Sequence, residues 1–538
     1  MWLKSGKDKI ILQLVLKKYI NCVIIYLGLK MKKFISFIYS RKLILLCSLL
    51  VNISAIVLSA IFLNIYIYIG VCLIATILFL LFANDNLATS NYKLVLSLIF
   101  LFLPLVAYAE YGFTKAKRGS KSFRMKWRKI NHENADRFEP TVKTIEEMGK
   151  VNPEAVKLSK YLVATTNMPL YSKSNCEYFD NSEILLNSIS RDIKNAKSSI
   201  LIEVDSIKDG EAWRNLFEAL KQKAMKGVQI TLLYDEKGCL SGFKDKKVFR
   251  KLANHGIKTV KFNKLKLFAS SFNYCRDKKN LVIIDSEIAY MSTVQFKDEF
   301  ISNDLPKAKN GDGVKITGDC VWSLVVLFFT YMQLFTKETY KLDDYKKELS
   351  AKTKNKSYVQ AYGTAPFYKD KLVKTNLLNT IYSAKSSILI ITPYLAIDDE
   401  VINALKLCSK NGIEIKLIIS DKTEKQWQRA ISLANIENLV KDRIRVYQYE
   451  NNILAKQFVL IDDGVALIGG GNLDFRNLNN NFEMGCLLVN DLETNEKLKS
   501  VADTLITNSH LVTIKDLSQT GFFTKFYGRA LKFIWPVL

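Results

Sequence analysis

The hydrophobic pattern changes character along the chain. From Leu43 to Leu63 runs LILLCSLLVNISAIVLSAIFL, and after Asn64 a second uncharged run extends from Ile65 to Ala83. Each is about the length that crosses roughly 30 Å of hydrocarbon, so the pair predicts a helical hairpin in a membrane. A third run, Leu94 to Ala109 with Pro104 inside it, reaches spanning length only by borrowing flanking residues such as Tyr92 and Tyr111. Beside two stronger runs it is read as a third span, giving two to three in all. Past residue 130 the apolar runs give way to alternating helix-period and strand-period segments.

Those segments recur. AKSSILIEV (Ala196 to Val204) returns as AKSSILIIT (Ala384 to Thr392), with seven identical residues in a row. MKGVQITLLYD (Met225 to Asp235) is matched by KNGIEIKLIISD (Lys410 to Asp421), and GIKTVKFN (Gly256 to Asn263) by RIRVYQYEN (Arg443 to Asn451). The order predicts one α/β unit present twice, each a mixed sheet flanked by helices, the two related by a pseudo-twofold axis. The expected segments are a basic N-terminal stretch at 1–42, a membrane anchor at 43–113, a juxtamembrane and linker segment at 114–180, a first repeat at 181–344, a lysine-rich linker at 345–357 and a second repeat at 358–538.

Each copy closes on a strand, an acidic turn and another strand. In the second copy this is NNILAKQFVLIDDGVALIGGGNLDFRNLNNNFEMG (Asn451 to Gly485); in the first it is KKNLVIIDSEIAYMSTVQF (Lys278 to Phe296). Asp285 takes the place of Asp462, and Gln295 follows it at the interval at which Asn472 follows Asp462. Glycines after a short hairpin let backbone N–H groups approach an anion, which makes the unit a candidate phosphate site.

Composition sharpens this only in part. Lys+Arg 78 against Asp+Glu 52 gives +26, which suits nucleic acid, an anionic membrane surface or a phosphorylated substrate. Lys115 to Lys129 holds eight Lys/Arg and no acid, a pattern that marks the cytoplasmic side of a span and can hold anionic head groups. Lys30, Lys32, Lys33, Arg41 and Lys42 also favour the cytoplasm, so either the third run is re-entrant or residues 10–28 add a poor extra span; Met31 is an alternative start. The nine cysteines show no zinc spacing and predict reduced structural thiols. The tail TKFYGRALKFIWPVL (Thr524 to Leu538) sets Phe526, Ala530, Phe533 and Ile534 at helical spacing, which suits either a membrane surface or packing on the second repeat.

With YSKSNCEYFDNSEILLNSISRDIKNAKSSILIEV (Tyr171 to Val204), the Thr392-Pro393-Tyr394 triplet, YENNIL before the second acidic turn and GGGNLDFR…NFE after it, the chain resembles the phospholipase D superfamily. It is most similar there to bacterial cardiolipin synthases with an N-terminal anchor. The resemblance implies a His-x-Lys-x-x-x-x-Asp motif in each repeat. One histidine attacks the phosphorus of phosphatidylglycerol to form a phosphohistidine; the other protonates the leaving glycerol and then deprotonates the incoming hydroxyl. Lysines hold the phosphate oxygens, aspartates orient the histidines, and no cofactor or metal takes part.

This chain departs from that pattern at the reacting positions. Counting back from Asp285, Lys278 stands at the histidine position and Asn280 at the lysine position; counting back from Asp462, they are Ala455 and Gln457. An ammonium near its usual pKa of about 10.4 is a poor nucleophile, and a methyl group has no chemistry to offer. His132, His255 and His510, the only histidines, lie outside both motifs. The expectation is a cardiolipin synthase-like membrane protein without the transfer reaction, with the repeats cytoplasmic. It would bind anionic phospholipid (phosphatidylglycerol or cardiolipin) through Lys278, Lys279, Gln295, Lys456 and Asn472, or pair with an active synthase. An active synthase is the first alternative. A nucleic-acid-binding relative is the second, disfavoured because the surplus charge is mainly lysine without an aromatic stacking pattern.

Overall fold

A computed structural model describes residues 41–61, 65–82, 90–116, 121–240, 248–264, 275–302, 304–305, 308–336, 338–347, 357–368 and 370–534. Most of the basic N-terminal stretch, the alternative start, most of the lysine-rich linker and the last four residues lie outside them. The chain divides into two compact units, one ending at Lys117 and the other beginning at Arg118.

In the first unit, helices Arg41–Ile61, Ile65–Phe82, Ser90–Phe102 and Pro104–Ala116 follow one another. Phe79 stacks on Phe100 at 4.7 Å, and the Tyr68 hydroxyl donates to the Phe102 carbonyl at 3.1 Å. Among the described residues, Leu43–Ile61 alone is long and apolar enough to cross a membrane; Ile65–Leu80 and Lys93–Phe102 are shorter apolar helices. The run read as a third span is interrupted at Pro104, whose ring cannot donate to the helix ladder.

In the second unit, strands β1 (Ser174–Phe179), β2 (Ser199–Val204), β3 (Gln229–Asp235), β4 (Lys258–Phe262), β5 (Asn280–Ile284), β6 (Ile288–Ser292), β7 (Lys309–Gly311) and β8 (Gly313–Gly318) precede β9 (Tyr358–Gly363), β10 (Ser387–Ile391), β11 (Glu414–Ser420), β12 (Arg445–Tyr449), β13 (Ile453–Ala455), β14 (Phe458–Ile461), β15 (Val465–Gly469), β16 (Met484–Val489) and β17 (Ser509–Leu511). One sheet has the order β1-β8-β6-β5-β2-β3-β4. The other reads β9-β16-β15-β14-β10-β11-β12, with β17 added at its edge. The two orders coincide strand for strand. In both, a parallel trio (β2-β3-β4, β10-β11-β12) meets an antiparallel hairpin (β5-β6, β14-β15), so each sheet is mixed. β2, β9 and β16 are buried at every position, as strands covered on both faces must be.

The acidic turns have a structural task. Asp285-Ser286 and Asp462-Asp463 all take positive φ (53°, 58°, 48° and 59°), the left-handed conformation by which each tight turn reverses the chain between Ile284 and Ile288 or Ile461 and Val465. The Asp285 carboxylate accepts from the backbone N–H of Lys197, Ser198 and Ser199 and from the Ser198 hydroxyl, at 2.7 to 2.9 Å. Asp462 accepts from Lys385, Ser386 and Ser387 in the same way. The recurring Ala-Lys-Ser-Ser and the recurring aspartate are therefore two halves of one latch, which pins the hairpin to the loop before β2 or β10. Burial alone would raise both carboxyl pKa values; the three N–H donors and the hydroxyl outweigh it and hold each below the usual range.

An aromatic core lies where the two sheets' helices and loops meet. Helix Val321–Phe335 is buried along nearly its whole length. Its Tyr331 stacks on Trp127 (5.7 Å) and meets Phe482 edge-on (5.6 Å), and Phe262 meets Phe482 at 4.9 Å. Part of the basic Lys115–Lys129 cluster faces inward here: Trp127 is buried, and the Lys126 ammonium donates to the carbonyls of Leu334 and Thr336 at the end of that helix.

Candidate functional site

The hairpins β5-β6 and β14-β15 carry their latched turns at one end; at the other end they open on a cavity of about 790 Å³. The first sheet contributes Asp205, Lys278, Asn280, Ser292 and Gln295, and the second Ala455, Gln457, the Gly469–Gly471 loop and Asn472. The copies are stitched together beside it. Lys278 N–H donates to the Phe482 carbonyl and Phe482 N–H to the Arg276 carbonyl, both at 3.0 Å, while β13 pairs in parallel with β7. Each degenerate motif is thus held by backbone from the opposite copy.

The predicted site residues separate into two groups. Lys278, Asn280, Gln295, Ala455, Gln457 and Asn472 line the cavity. Lys279, Lys456, Asp285 and Asp462 do not, and each is engaged elsewhere. The Lys279 ammonium is fully buried in the aromatic core, 3.0 Å from a Glu203 oxygen and 2.5 Å from an Asp277 oxygen, and 4.1 Å above the Tyr331 ring. Burial opposes its charge, but Asp277 and Glu203 outweigh that and raise its pKa. Lys456, one residue past the other vacated histidine position, donates to the carbonyls of Asp180 and Gly311, and burial lowers its pKa. As phosphate ligands, Lys279 and Lys456 are corrected: both are buried structural cations. Asp285 lies five residues along its strand from Asn280, about 17 Å at ~3.3 Å per residue, too far to orient a side chain at 278.

Inside the cavity the polar groups largely satisfy one another. Gln295 donates to both oxygens of Asp205 at 2.8 Å, and Lys297 donates to the Gln295 carbonyl at 2.6 Å. The Lys278 ammonium sits 3.5 Å from Asp205. Burial works to lower its pKa, yet Asp205, Glu483, Asp235 and Asp474 outweigh it, so the net shift is upward and Lys278 is held as a cation. The glycine loop is also partly engaged: Gly469 N–H donates to the Gln457 carbonyl and Gly470 N–H to the Met484 carbonyl. All three glycines have positive φ, between 77° and 91°. Gly471 also passes so close to Glu483 that a Cβ there would meet its carboxyl carbon at 2.8 Å.

Several cavity groups escaped the motif count. Asp205 directly follows β2, at the carboxyl edge where parallel strands of open α/β sheets collect ligands, a signal present in the sequence itself. Glu483 is buried with one carboxyl oxygen unpartnered, and burial pushes its pKa well up against the pull of Lys278. Asp312 answers it from the first copy, accepting from the Tyr178 hydroxyl (3.1 Å), the Thr293 hydroxyl (2.8 Å) and the Gln457 N–H (3.1 Å). The Tyr394 hydroxyl donates to Asp474 at 2.5 Å. Among the described residues lining the cavity there is no histidine or cysteine, and eight Lys/Arg face eight Asp/Glu. Of the histidines, His255 meets Phe217 edge-on, His510 sits 2.9 Å from Asp516, and His132 belongs to helix Lys121–Ala135.

Comparison with known proteins fits this architecture. The family model described as "Cardiolipin synthase, PLD-like domain" matches residues 377–506. Cardiolipin synthase 1 of Staphylococcus epidermidis is 23% identical over 473 residues, covering 85% of this chain and 94% of its own. Cardiolipin synthase 1 of Bacillus cereus is 26% identical over 471 residues, covering 82% and 88%. A Bacillus subtilis protein named probable cardiolipin synthase is 25% identical over 450 residues, covering 80% and 88%. Among solved structures, the phosphatidylserine synthase of Haemophilus influenzae aligns with a TM-score of 0.55 at 13% identity, over 71% of this chain and 98% of that one. By these matches the chain is phospholipase D-like, and over most of its length it is similar to cardiolipin synthases.

Proposed function

We propose that this is a multi-pass membrane protein of phospholipid metabolism, with two phospholipase D-like repeats on the cytoplasmic side, that has kept the frame of a phosphatidyltransferase site without its reaction. Its role is then to bind anionic phospholipid or to accompany an active synthase. One observation carries this reading: the two positions that should hold imidazoles have a lysine tied to Asp205 and an alanine. Among the described residues lining the cavity no imidazole or thiol takes their place, and the serine and threonine hydroxyls there have no histidine beside them to act as base.

The test is to reconstitute the full chain into phosphatidylglycerol vesicles and measure cardiolipin and released glycerol. The expected result is no turnover from the natural chain and measurable turnover from the variant carrying Lys278→His, Asn280→Lys, Ala455→His and Gln457→Lys. Cardiolipin formation by the natural chain, or its restoration of cardiolipin in cells lacking every other synthase, would overturn the proposal.

A further inference from the structure

The C-terminal helix Phe522–Ile534 has two dissimilar faces. One packs on helix Gln426–Val440: Gly528 is buried so closely that a Cβ would meet the Ala430 carbonyl oxygen at 2.2 Å, and Leu531 joins Tyr394, Ala396, Ala430 and Ile431 in one apolar cluster. The opposite face is aromatic and bare. Phe522, Phe523 and Phe526 are 74%, 85% and 63% exposed, and Tyr527 and Phe533 share that side. Phe522 stacks with Phe526 and meets Phe523 edge-on, so the rings form one patch. The helix carries Lys525, Arg529 and Lys532 and no acid. Arg529 reaches Glu437 and Lys532 reaches Asp399, which directs these cations along the flank between the two faces.

A soluble surface rarely leaves so many rings together, and such a patch marks an interaction site. Three features select a lipid surface over a protein partner. On the function proposed above, the candidate span Leu43–Ile61 already holds the protein at a bilayer. Aromatic rings flanked by lysine and arginine with no acid are the composition of interfacial helices. The chain's net charge of +26 favours an anionic leaflet.

We propose that the aromatic face of helix Phe522–Ile534 inserts into the interface of an anionic bilayer, and that this seats the cavity wall at head-group level. The link to the cavity is structural. The helix rests on Gln426–Val440, whose first turn supplies Trp427 and Gln428 to the cavity lining, and Trp427 meets the cavity residue Tyr394 edge-on at 5.8 Å. This holds whether or not the chain turns over phospholipid, because it concerns how the site meets its membrane.

The test places a photocrosslinker on the patch of the full chain. Phe523→p-benzoylphenylalanine is reconstituted into vesicles of equal parts phosphatidylglycerol and phosphatidylcholine, irradiated and analysed by intact mass. Tyr382→p-benzoylphenylalanine, an exposed position on another helix, serves as control. The expected result is a lipid adduct at 523 about tenfold above that at 382, falling when phosphatidylcholine replaces the anionic lipid. Phe526→p-benzoylphenylalanine should behave the same way and gives an independent measurement if the first variant reconstitutes poorly. Equal adduct yields at 523 and 382, yields indifferent to lipid charge, or crosslinking into a second protein chain would each overturn the proposal.

Discussion

If Asp285 and Asp462 latch the hairpins, their loss should be felt as stability and not as a change in the cavity. Asp285→Asn keeps the shape of the side chain but removes the charge and turns an amide NH2 toward a cluster of donors. Of the four donors, the Ser199 N–H is buried, whereas Lys197 and Ser198 lie at the surface where water can replace the carboxylate. Hydrogen bonds to a charged group contribute about 1.5–3 kcal/mol each, and an abandoned buried donor costs about 1–3 kcal/mol. Discounting the exposed donors leaves an expected loss of roughly 2–3 kcal/mol for Asp285, a drop in Tm of about 5–10 °C for a copy-sized cooperative unit, and a smaller loss for Asp462, whose Ser387 donor is only half-buried. Thermal unfolding of the full chain in detergent, followed by intrinsic fluorescence, measures it. The pH dependence supplies a second check. Because the folded carboxyl pKa is depressed, the latch is at full strength above the unfolded value of about 3.9 and is lost as pH falls through the folded value. The natural chain should therefore converge on the variant at acid pH. An Asp285→Asn chain that melts within about 1 °C of the natural one at pH 7, or a gap that persists unchanged into acid, would refute the latch.

Lys279→Ala leaves Asp277 and Glu203 as uncompensated buried acids and should destabilise by about 3–5 kcal/mol, read in the same melts; replacing all three by apolar residues should recover most of the loss. Glu483→Gln should stabilise. The carboxyl's folded pKa is raised, so the natural chain loses stability as pH climbs above the unfolded value of about 4.3, and the amide removes that slope; the gain should be present at pH 7 and absent at pH 4. Gly528→Ala should displace the C-terminal helix from Gln426–Val440 at a cost of about 1–3 kcal/mol, seen as faster proteolysis after Lys515 and Lys525 while the rest of the chain stays resistant.

Much of the fold was legible because its signals are local. Apolar runs bounded by Gly, Asp and Asn mark buried strands and tight turns, and the seven-residue identity of the two Ala-Lys-Ser-Ser segments announced that the second half echoes the first. The site was legible as a place but not as a set of roles, and alternation explains part of the gap. In extended chain, residues i and i+2 share a face and i+1 points the other way. Lys278 and Asn280 therefore face the cavity while Lys279 enters the aromatic core, and Ala455 and Gln457 face it while Lys456 turns to Asp180 and Gly311. The period-two rule was available from the sequence; counting lysines as charge obscured it. The remaining roles depend on contacts between copies, which no local pattern encodes: Asp312 reaching Gln457, and Glu483 lying within the field of Lys278. Net charge misled for the same reason. A chain of +26 suggests an anion-loving pocket, yet the described residues of the cavity lining carry eight bases against eight acids, so the surplus is not concentrated among them.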